Sequence, residues 1–172
     1  LQALADSIAA HGILQPLAVR ASGGGFYQII AGERRWRAAR MAGLSEVPVV
    51  VLEADDRTVM ELALVENLQR QDLNPMEEAE GYQRLMKEYG LTQEEAAARV
   101  GKSRPAVANA LRLLLLPEEV RSLVEDGTIS AGHARAILSL PAARLQKAAA
   151  QKIVALRLSV RQAEAMMEQG VF

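Results

Sequence analysis

One short segment combines a strand-to-helix junction, a glycine and four closely spaced arginines, a combination that could bind phosphate. The apolar residues 26–31 predict a strand, and Gly32 and Glu33 open the helix that follows. The arginines on this helix are Arg34, Arg35, Arg37 and Arg40. A glycine at such a junction lets backbone N–H groups approach a phosphate at the positive end of the helix dipole, and guanidinium groups donate paired hydrogen bonds to phosphate oxygens. The alternative is a surface helix whose arginines cover Trp36, and the segment is not a GxxxxGK[ST] loop.

A second polar cluster, Glu66-Asn67-Leu68-Gln69-Arg70, is predicted at the end of a helix. Because Glu66 and Asn67 are adjacent, their side chains point in different directions and cannot form a carboxylate dyad. The amide oxygen of Asn67 suits a hard cation, and Glu66 could orient or deprotonate a water molecule. Taken by itself, the cluster is more typical of a solvated helix end.

Residues 92–113 have the spacing of a helix-turn-helix. Thr92 can cap the first helix, and Glu95, three residues later, can complete a capping box. Gly101 supplies the tight turn, and Ser103 can cap the second helix. These coinciding signals favour a DNA-binding module over two packed helices with an ordinary charged surface.

The second helix of this module would lie in the major groove of DNA. Between Arg99 and Arg112 the basic residues have no acid among them. Phosphates or a guanine edge suit Lys102, Ser103 and Arg104, and Asn109 could pair bidentately with adenine. The predicted DNA-facing residues are Lys102, Ser103, Arg104, Ala108, Asn109 and Arg112.

The elements that would position these residues predict an α+β chain with two domains. Residues 1–72 form a small α/β domain, with strands predicted at residues 17–20, 26–31 and 47–52. The third strand is a continuous apolar run, which predicts burial on both faces. From Asn74-Pro75, a cap followed by a proline suited to a first helical turn, residues 73–172 are predicted to be all-helical.

Composition narrows the classes of function. The 172 residues include no cysteine, which excludes a disulfide, a thiolate nucleophile and a zinc–thiolate site. No apolar run approaches the roughly 20 residues of a membrane span, and no signal-peptide pattern opens the chain, so a cytoplasmic location is expected. His11 and His133 are isolated, which is more typical of caps than of metal ligands. Because the first residues already predict a helix, we expect the chain to be a fragment.

Together these segments resemble the ParB family over essentially the whole chain. The motifs that carry the resemblance are, in order, Gly12-Ile13-Leu14-Gln15-Pro16, Gly32-Glu33-Arg34-Arg35-Trp36, Glu66-Asn67-Leu68-Gln69-Arg70, Leu73-Asn74-Pro75-Met76-Glu77-Glu78, Gly132-His133-Ala134-Arg135-Ala136 and Leu158-Ser159-Val160-Arg161-Gln162. Several long motifs in the family's order make a chance match very improbable.

The resemblance implies a ParB/sulfiredoxin-like nucleotide-binding domain, which binds CTP with Mg²⁺, followed by a helix-turn-helix DNA-binding domain. The residues expected to hold the triphosphate are Gly32, Glu33, Arg34 and Arg35. Asn67 would contact the nucleotide and its magnesium ion, and Glu66 would support hydrolysis. Gln15 would line the nucleotide pocket and is predicted, with Glu66, to take part in catalysis.

The resemblance also implies a switch with weak CTPase activity. Family members bind a palindromic centromere site, close two protomers when CTP binds, slide along DNA as a dimer and reopen on hydrolysis. His133 and Arg135 would join the DNA-binding surface. The implied partners are double-stranded DNA, a second copy of the chain, a ParA-type ATPase that binds an N-terminal arm outside this sequence, and an SMC condensin, with no membrane. The implied location is the cytoplasmic nucleoid, and the family's C-terminal dimerisation domain is expected to be missing.

Three alternatives stay open at the level of sequence. A nucleoid-occlusion paralogue shares the switch but binds a different palindrome. A helix-turn-helix transcription factor that ignores nucleotides would account for residues 92–113 but for neither polar cluster. Sulfiredoxin and free serine kinases resemble the N-terminal domain, but sulfiredoxin chemistry needs a cysteine and a kinase leaves the helix-turn-helix without a role.

Overall fold

The computed structural model describes residues 1–172, which divide into two compact units. The first unit is Leu1–Asn67 and the second is Leu68–Phe172. The change in composition along the sequence predicts a boundary a few residues later, between residues 72 and 73. The helix that carries Glu66 ends at Leu68, so the structural division falls at the end of that helix.

The first unit consists of three helices and a small sheet. In chain order its elements are α1 (Gln2–His11), β1 (Leu17–Gly23), β2 (Phe26–Ala31), α2 (Glu33–Met41), β3 (Val49–Val51) and α3 (Asp56–Leu68). The strands lie in the order β2-β1-β3, with β1 antiparallel to β2 and parallel to β3. On one side, α1 packs against α2 through Ala5, Ile8, Ala38 and Ala39, all buried. This packing holds the second half of α2 against α1.

The prediction that residues 47–52 form a strand buried on both faces is wrong. Only Val49–Val51 forms a strand, and its three valines are 42, 49 and 53% exposed. β3 lies at the edge of the sheet and pairs only with β1. A continuous apolar run does not distinguish a covered inner strand from a short edge strand, because periodicity carries no information about the neighbours.

Helix α3 is held to the sheet through Arg20 on β1. The Nη2 of Arg20 forms an ion pair with the carboxylate of Asp56 at 2.6 Å, and its Nη1 donates to the carbonyl of Ala54 at 3.3 Å. Asp55 accepts a hydrogen bond from the backbone N–H of Thr58 at 2.7 Å, which caps the first turn of α3. Hydrogen bonds from the side chain and then the backbone of Thr58 lower the pKa of Asp55. The anchored start of α3 orients the helix whose last turn carries Glu66.

The second unit is all-helical. Its helices are α4 (Pro75–Tyr89), α5 (Gln93–Val100), α6 (Arg104–Arg112), α7 (Glu118–Glu125), α8 (Ala131–Ile137), α9 (Ala143–Leu156) and α10 (Val160–Gln169), with a 3₁₀ turn at Leu113–Leu115. Its core is built mainly of aliphatic side chains from α7 to α10, with Met76 of α4. The predicted α+β fold class, an α/β domain followed by an all-helical one, is confirmed. None of the helices is both long and apolar enough to cross a bilayer.

Predicted caps mark the helix ends in this unit. The Asn74 side chain accepts from the backbone N–H groups of Met76 and Glu77, with Pro75 in the first turn. Thr92 and Glu95 form the capping box at the start of α5. Short polar side chains satisfy the first backbone donors of a helix, so these residues determine where each helix begins.

Candidate nucleotide site and DNA-binding surface

In the first unit, the backbone N–H of Gly32 donates a hydrogen bond to Oε1 of Glu66 at 3.3 Å. Gly32 is the N-cap of α2 and has φ 101° and ψ 22°, a left-handed conformation that favours glycine. A Cβ at this position would lie 3.0 Å from Cγ of Leu17 and 3.1 Å from Nη2 of Arg35. A side chain at this junction would require Leu17 and Arg35 to shift by a few tenths of an ångström. The structure brings two sequence-predicted site residues, Gly32 and Glu66, into direct contact.

Arg35 connects the same junction to the segment before β1. Its Nη1 donates to the backbone carbonyls of Gln15 at 2.6 Å and of Pro16 at 2.8 Å. The guanidinium is thereby held in a fixed orientation, with its Nη2 next to Gly32. Gln15 is brought into the site through its backbone, while its side chain is exposed.

The other arginines of α2 have different surroundings. Arg37 pairs with Glu33 one turn earlier, with 2.6 Å between Nη2 and Oε1, and both side chains are about 60% exposed. Arg40 lies over the ring of Trp36, 5.0 Å from its centroid, which is the arrangement expected of arginines that cover a tryptophan. Arg34 is exposed. The two interpretations of this helix thus apply to different residues: Arg35 belongs to the junction, whereas Arg40 covers Trp36.

Glu66 and Asn67 lie in the last turn of α3, and both are exposed. Their side chains offer a carboxylate and an amide oxygen, the ligand types that Mg²⁺ prefers. No cluster of three or more His, Asp or Glu residues suitable for holding a metal ion occurs in the chain. The carboxylate of Glu66 and the amide oxygen of Asn67 fit a magnesium ion that is bound by one or two protein oxygens together with substrate phosphates. This is the usual mode of binding for Mg²⁺.

In the second unit, α5 and α6 form the helix-turn-helix. Gly101 ends α5 in a left-handed conformation with φ 73°, and the Ser103 hydroxyl accepts from the backbone N–H of Ala106 at 3.2 Å. Ala96 and Val107 have no exposed surface, so the two helices meet through small and β-branched side chains. The turn glycine and the caps predicted from the sequence are all present.

The outward side of α6 carries the predicted DNA-facing residues. Lys102, Arg104, Asn109 and Arg112 are exposed, and Ala108 is half-buried. Arg104, Ala108 and Arg112 are spaced four residues apart and therefore share one stripe of the helix. Ser103 is exposed, although its hydroxyl oxygen is engaged in capping. The helix presents guanidinium and amide groups, and the segment from Lys102 to Arg112 contains no acid, which suits contact with phosphates and base edges.

His133 of α8 uses both ring nitrogens within the unit. Nδ1 is 2.8 Å from the Ser130 hydroxyl and accepts from the backbone N–H of Ser130 at 3.1 Å. Nε2 is 2.9 Å from the carbonyl oxygen of Leu158, and since a carbonyl only accepts, Nε2 carries the proton. His133 therefore caps α8 and ties it to the segment before α10, whereas Arg135, two residues later, is exposed.

The sequence did not predict the left-handed backbone conformation of Arg157. Arg157, the C-cap of α9, has φ 49° and ψ 46° and is the only residue other than glycine with a positive φ. An arginine gives no sequence signal for a left-handed conformation, which glycine usually supplies at helix ends.

Comparisons with known proteins agree with this division. The family model of the ParB N-terminal domain matches residues 1–68, and that of the ParB HTH domain matches residues 71–171. The chain is 61% identical over 170 residues to the chromosome-partitioning protein Spo0J of Thermus thermophilus, covering 98% of this chain and 62% of that protein. It spans 57 to 62% of the length of its first three curated relatives.

Solved structures of relatives include the C-terminally truncated chromosome-partitioning protein ParB from Caulobacter crescentus complexed to the centromeric parS site. It superposes with a TM-score of 0.87 at 48% identity, covering 98% of this chain and 86% of that chain. A structure of the truncated Caulobacter protein complexed with CTP-gamma-S is 49% identical and covers 89% of this chain and 84% of that chain. Its TM-score is 0.41, which is too low to support the geometry described above. Both domain models match, and curated relatives share half or more of the residues; this chain belongs to the ParB family.

Proposed function

We propose that this chain is the nucleotide- and DNA-binding part of a chromosome-partitioning protein, which binds a palindromic centromere site and uses CTP to close into a clamp on DNA. The observation that carries the proposal is the contact between Gly32 and Glu66. It joins the arginine-bearing junction to the Glu66-Asn67 motif in one site, and this site stands in the same chain as a helix-turn-helix. A transcription factor that does not bind nucleotides would not require such a site.

The junction at the start of α2 is the part of the site that would bind the triphosphate. The N–H of Gly32 and the positive end of the helix dipole favour an anion at this point, and Arg35 adds a guanidinium whose orientation is held by two backbone carbonyls. Arg34 and Glu33 are exposed on the first turn of α2. Arg34 supplies a second positive charge, and Glu33 remains a proposed phosphate-site residue on family resemblance alone.

The end of α3 is the part of the site that would hold the metal ion and support hydrolysis. Asn67, with Glu66 beside it, would contact a magnesium ion that also binds the phosphates; the ion neutralises phosphate charge when it is bound. The Glu66 carboxylate would orient a water molecule towards the γ-phosphorus and take its proton as the bond to the β-phosphate oxygen breaks. The products are CDP and phosphate. Gln15 would line the same site.

The helical unit would bind the palindrome, with α6 in the major groove. Lys102, Arg104 and Arg112 would contact phosphates or guanine, and Asn109 adenine. Arg135 is exposed and would add a phosphate contact, whereas the engaged ring of His133 suits a positioning role. A palindrome calls for two copies of the chain, because a twofold site matches a twofold dimer. CTP can drive closure only if it binds the closed dimer more tightly than the open protomer.

The whole protein would work with a ParA-type ATPase and an SMC condensin in the nucleoid of the cytoplasm, without a membrane partner. These partners rest on family resemblance. The nucleoid-occlusion paralogue is the alternative that shares the switch, and the sequence of the palindrome bound by α6 distinguishes the two.

The decisive experiment measures phosphate release from CTP, with ATP, GTP and UTP as controls, in the presence of a centromere duplex or a scrambled duplex. Glu66→Gln and Arg35→Ala should each abolish a release that is specific for CTP and stimulated by the centromere duplex. Glu53→Gln is the matched control, because Glu53 is an exposed carboxylate just before the opposite end of α3. Its turnover should equal that of the unmodified chain.

CTP binding is measured in parallel by calorimetry, since closure and turnover can require parts of the protein outside this chain. Binding of CTP in preference to the other nucleotides supports the nucleotide site even where turnover is slow. Specific binding of the duplex without binding of any nucleotide would leave the nucleotide-independent transcription factor as the better assignment.

A further inference from the structure

Arg157 occupies a backbone conformation that its own side chain disfavours. It ends α9 with φ 49° and ψ 46°, in the left-handed region. For residues with a Cβ this region is unfavourable because Cβ approaches the following carbonyl oxygen. Three other helices of the same unit end in that conformation with glycine, at Gly90, Gly101 and Gly170. The arginine at this helix end therefore carries a backbone strain energy that glycine would remove. Strain of this kind tends to be retained at functional positions.

The surroundings of Arg157 suit an anion. Arg157 borders an open depression of about 380 Å³, whose lining residues are Thr128, His133, Ile153, Val154, Arg157 and Leu158. None of the six is acidic, so nothing on the lining itself neutralises the guanidinium. The Arg157 side chain is exposed, whereas the Thr128 side chain is hydrogen-bonded to the Asp126 carboxylate and lowers its pKa. The Arg157 guanidinium is therefore the group at this depression that suits a phosphate.

The backbone around Arg157 is held in place. His133 contacts the carbonyl of Leu158, the next residue, at 2.9 Å, and the backbone N–H of Arg157 donates to the carbonyl of Val154 at 3.3 Å. The depression borders α8 through His133, whereas Arg135 of the same helix lines a separate depression beside Glu164 and Glu168. A guanidinium on a fixed backbone loses less freedom when it binds a phosphate than one on a flexible loop.

We propose that Arg157 binds a phosphate of the DNA backbone and thereby extends the DNA-binding surface beyond the helix-turn-helix to the junction of α9 and α10. The contact positions the duplex and carries no sequence preference, since it is made to phosphate and not to a base edge. The inference rests on the proposed binding of duplex DNA by the helical unit.

Three variants test the contact: Arg157→Gly, Arg157→Lys and Arg144→Ala. Binding of the centromere duplex and of a scrambled duplex is measured by fluorescence anisotropy over a series of salt concentrations. Arg157→Gly should weaken binding of both duplexes roughly three- to tenfold and reduce the slope of log K against log salt by about one. The same variant should raise the thermal midpoint by roughly 2–4 °C, because glycine relieves the backbone strain. Arg157→Lys keeps the charge and should keep most of the affinity.

Arg144→Ala is the matched control. Arg144 is an exposed arginine at the other end of α9, about 20 Å away along a helix of this length. Its loss removes the same charge and should leave the salt slope unchanged.

Unchanged affinity and slope in Arg157→Gly would overturn the inference. A loss of affinity together with a lower thermal midpoint would also overturn it, because the residue would then act through folding. Failure of the unmodified chain to prefer the centromere duplex would instead count against the proposed function, so the two failures are distinguishable.

Discussion

The N–H of Gly32 and the carboxylate of Glu66 are joined by a 3.3 Å hydrogen bond, which places an internal anion at the start of α2. A phosphate oxygen bound at this helix end would have to displace the carboxylate, since both accept from the same donor. Once displaced, Glu66 is free to act on water. The same residue would thus oppose nucleotide binding and support hydrolysis.

Glu66→Gln should separate these two roles. The amide removes a negative charge that faces the phosphates, so CTP affinity should rise roughly two- to tenfold, as expected for the loss of one like-charge contact in a partly exposed site. Turnover should fall at least about a hundredfold, because the general base is gone. Calorimetry and phosphate release check the two effects, and a variant that binds CTP more weakly than the unmodified chain would contradict this account.

Gly32→Ala should damage the junction through packing as well as backbone strain. The new Cβ would lie within about 3 Å of Leu17 and Arg35, and we expect a loss of about 2–4 kcal/mol in the free energy of unfolding. Gly43→Ala is the control, since Gly43 also has a positive φ, 79°, but no atom within 4 Å of its Cβ position. Urea unfolding should show a loss of only about 1 kcal/mol for this control. Equal losses in the two variants would mean that the contacts at Gly32 add nothing.

Arg35→Ala and Arg34→Ala should differ although the residues are adjacent. Arg35 donates to two backbone carbonyls, at 2.6 and 2.8 Å, and its loss should cost about 1–3 kcal/mol of stability. Arg34 is exposed, and its loss should change stability by less than about 0.5 kcal/mol while weakening nucleotide binding. Chemical denaturation and calorimetry on both variants check this, and a large loss of stability in Arg34→Ala would be the contrary result.

Ser103 offers a test of capping against DNA contact. Its hydroxyl accepts from the N–H of Ala106, so Ser103→Ala should destabilise the helical unit by about 1 kcal/mol, whereas Ser103→Gly should cost only a few tenths. If the hydroxyl also contacts DNA, both variants should weaken duplex binding alike. If duplex affinity instead falls with stability, so that Ser103→Gly binds nearly as well as the unmodified chain, the role of Ser103 is limited to capping.

Glu95 makes the helix-turn-helix sensitive to acid. The hydrogen bonds of its carboxylate to Thr92 lower its pKa below the ordinary value of 4.5. A group whose pKa is lower in the folded state contributes stability above its ordinary pKa, and this contribution is lost as the pH falls through the folded value. Circular dichroism unfolding of the unmodified chain and of Glu95→Gln should therefore show a difference in stability near neutral pH that shrinks as the pH falls below 4.5, the ordinary pKa of the carboxyl. A constant difference at all pH values would be inconsistent with the capping carboxylate.

The sequence by itself determined the local features. Asn74, Thr92 and Ser103 are caps because short polar side chains satisfy backbone donors within three residues, and this chemistry is legible from spacing alone. Gly101 supplies the turn for an equally local reason. The caps and the helix-turn-helix followed from such signals, and the motifs of the ParB family allowed candidate nucleotide-site residues to be named.

Only the tertiary structure decided the relationships over longer range. Gly32 and Glu66 are 34 residues apart, and their contact depends on how the end of α3 meets the start of α2. The exposure of Val49–Val51 depends on the position of β3 at the edge of the sheet. Arg157 adopts a left-handed conformation at the end of α9, although a residue with a Cβ does not favour it. Local capping energies act within one helical turn, whereas strand order and contacts between distant residues depend on the packing of the whole domain.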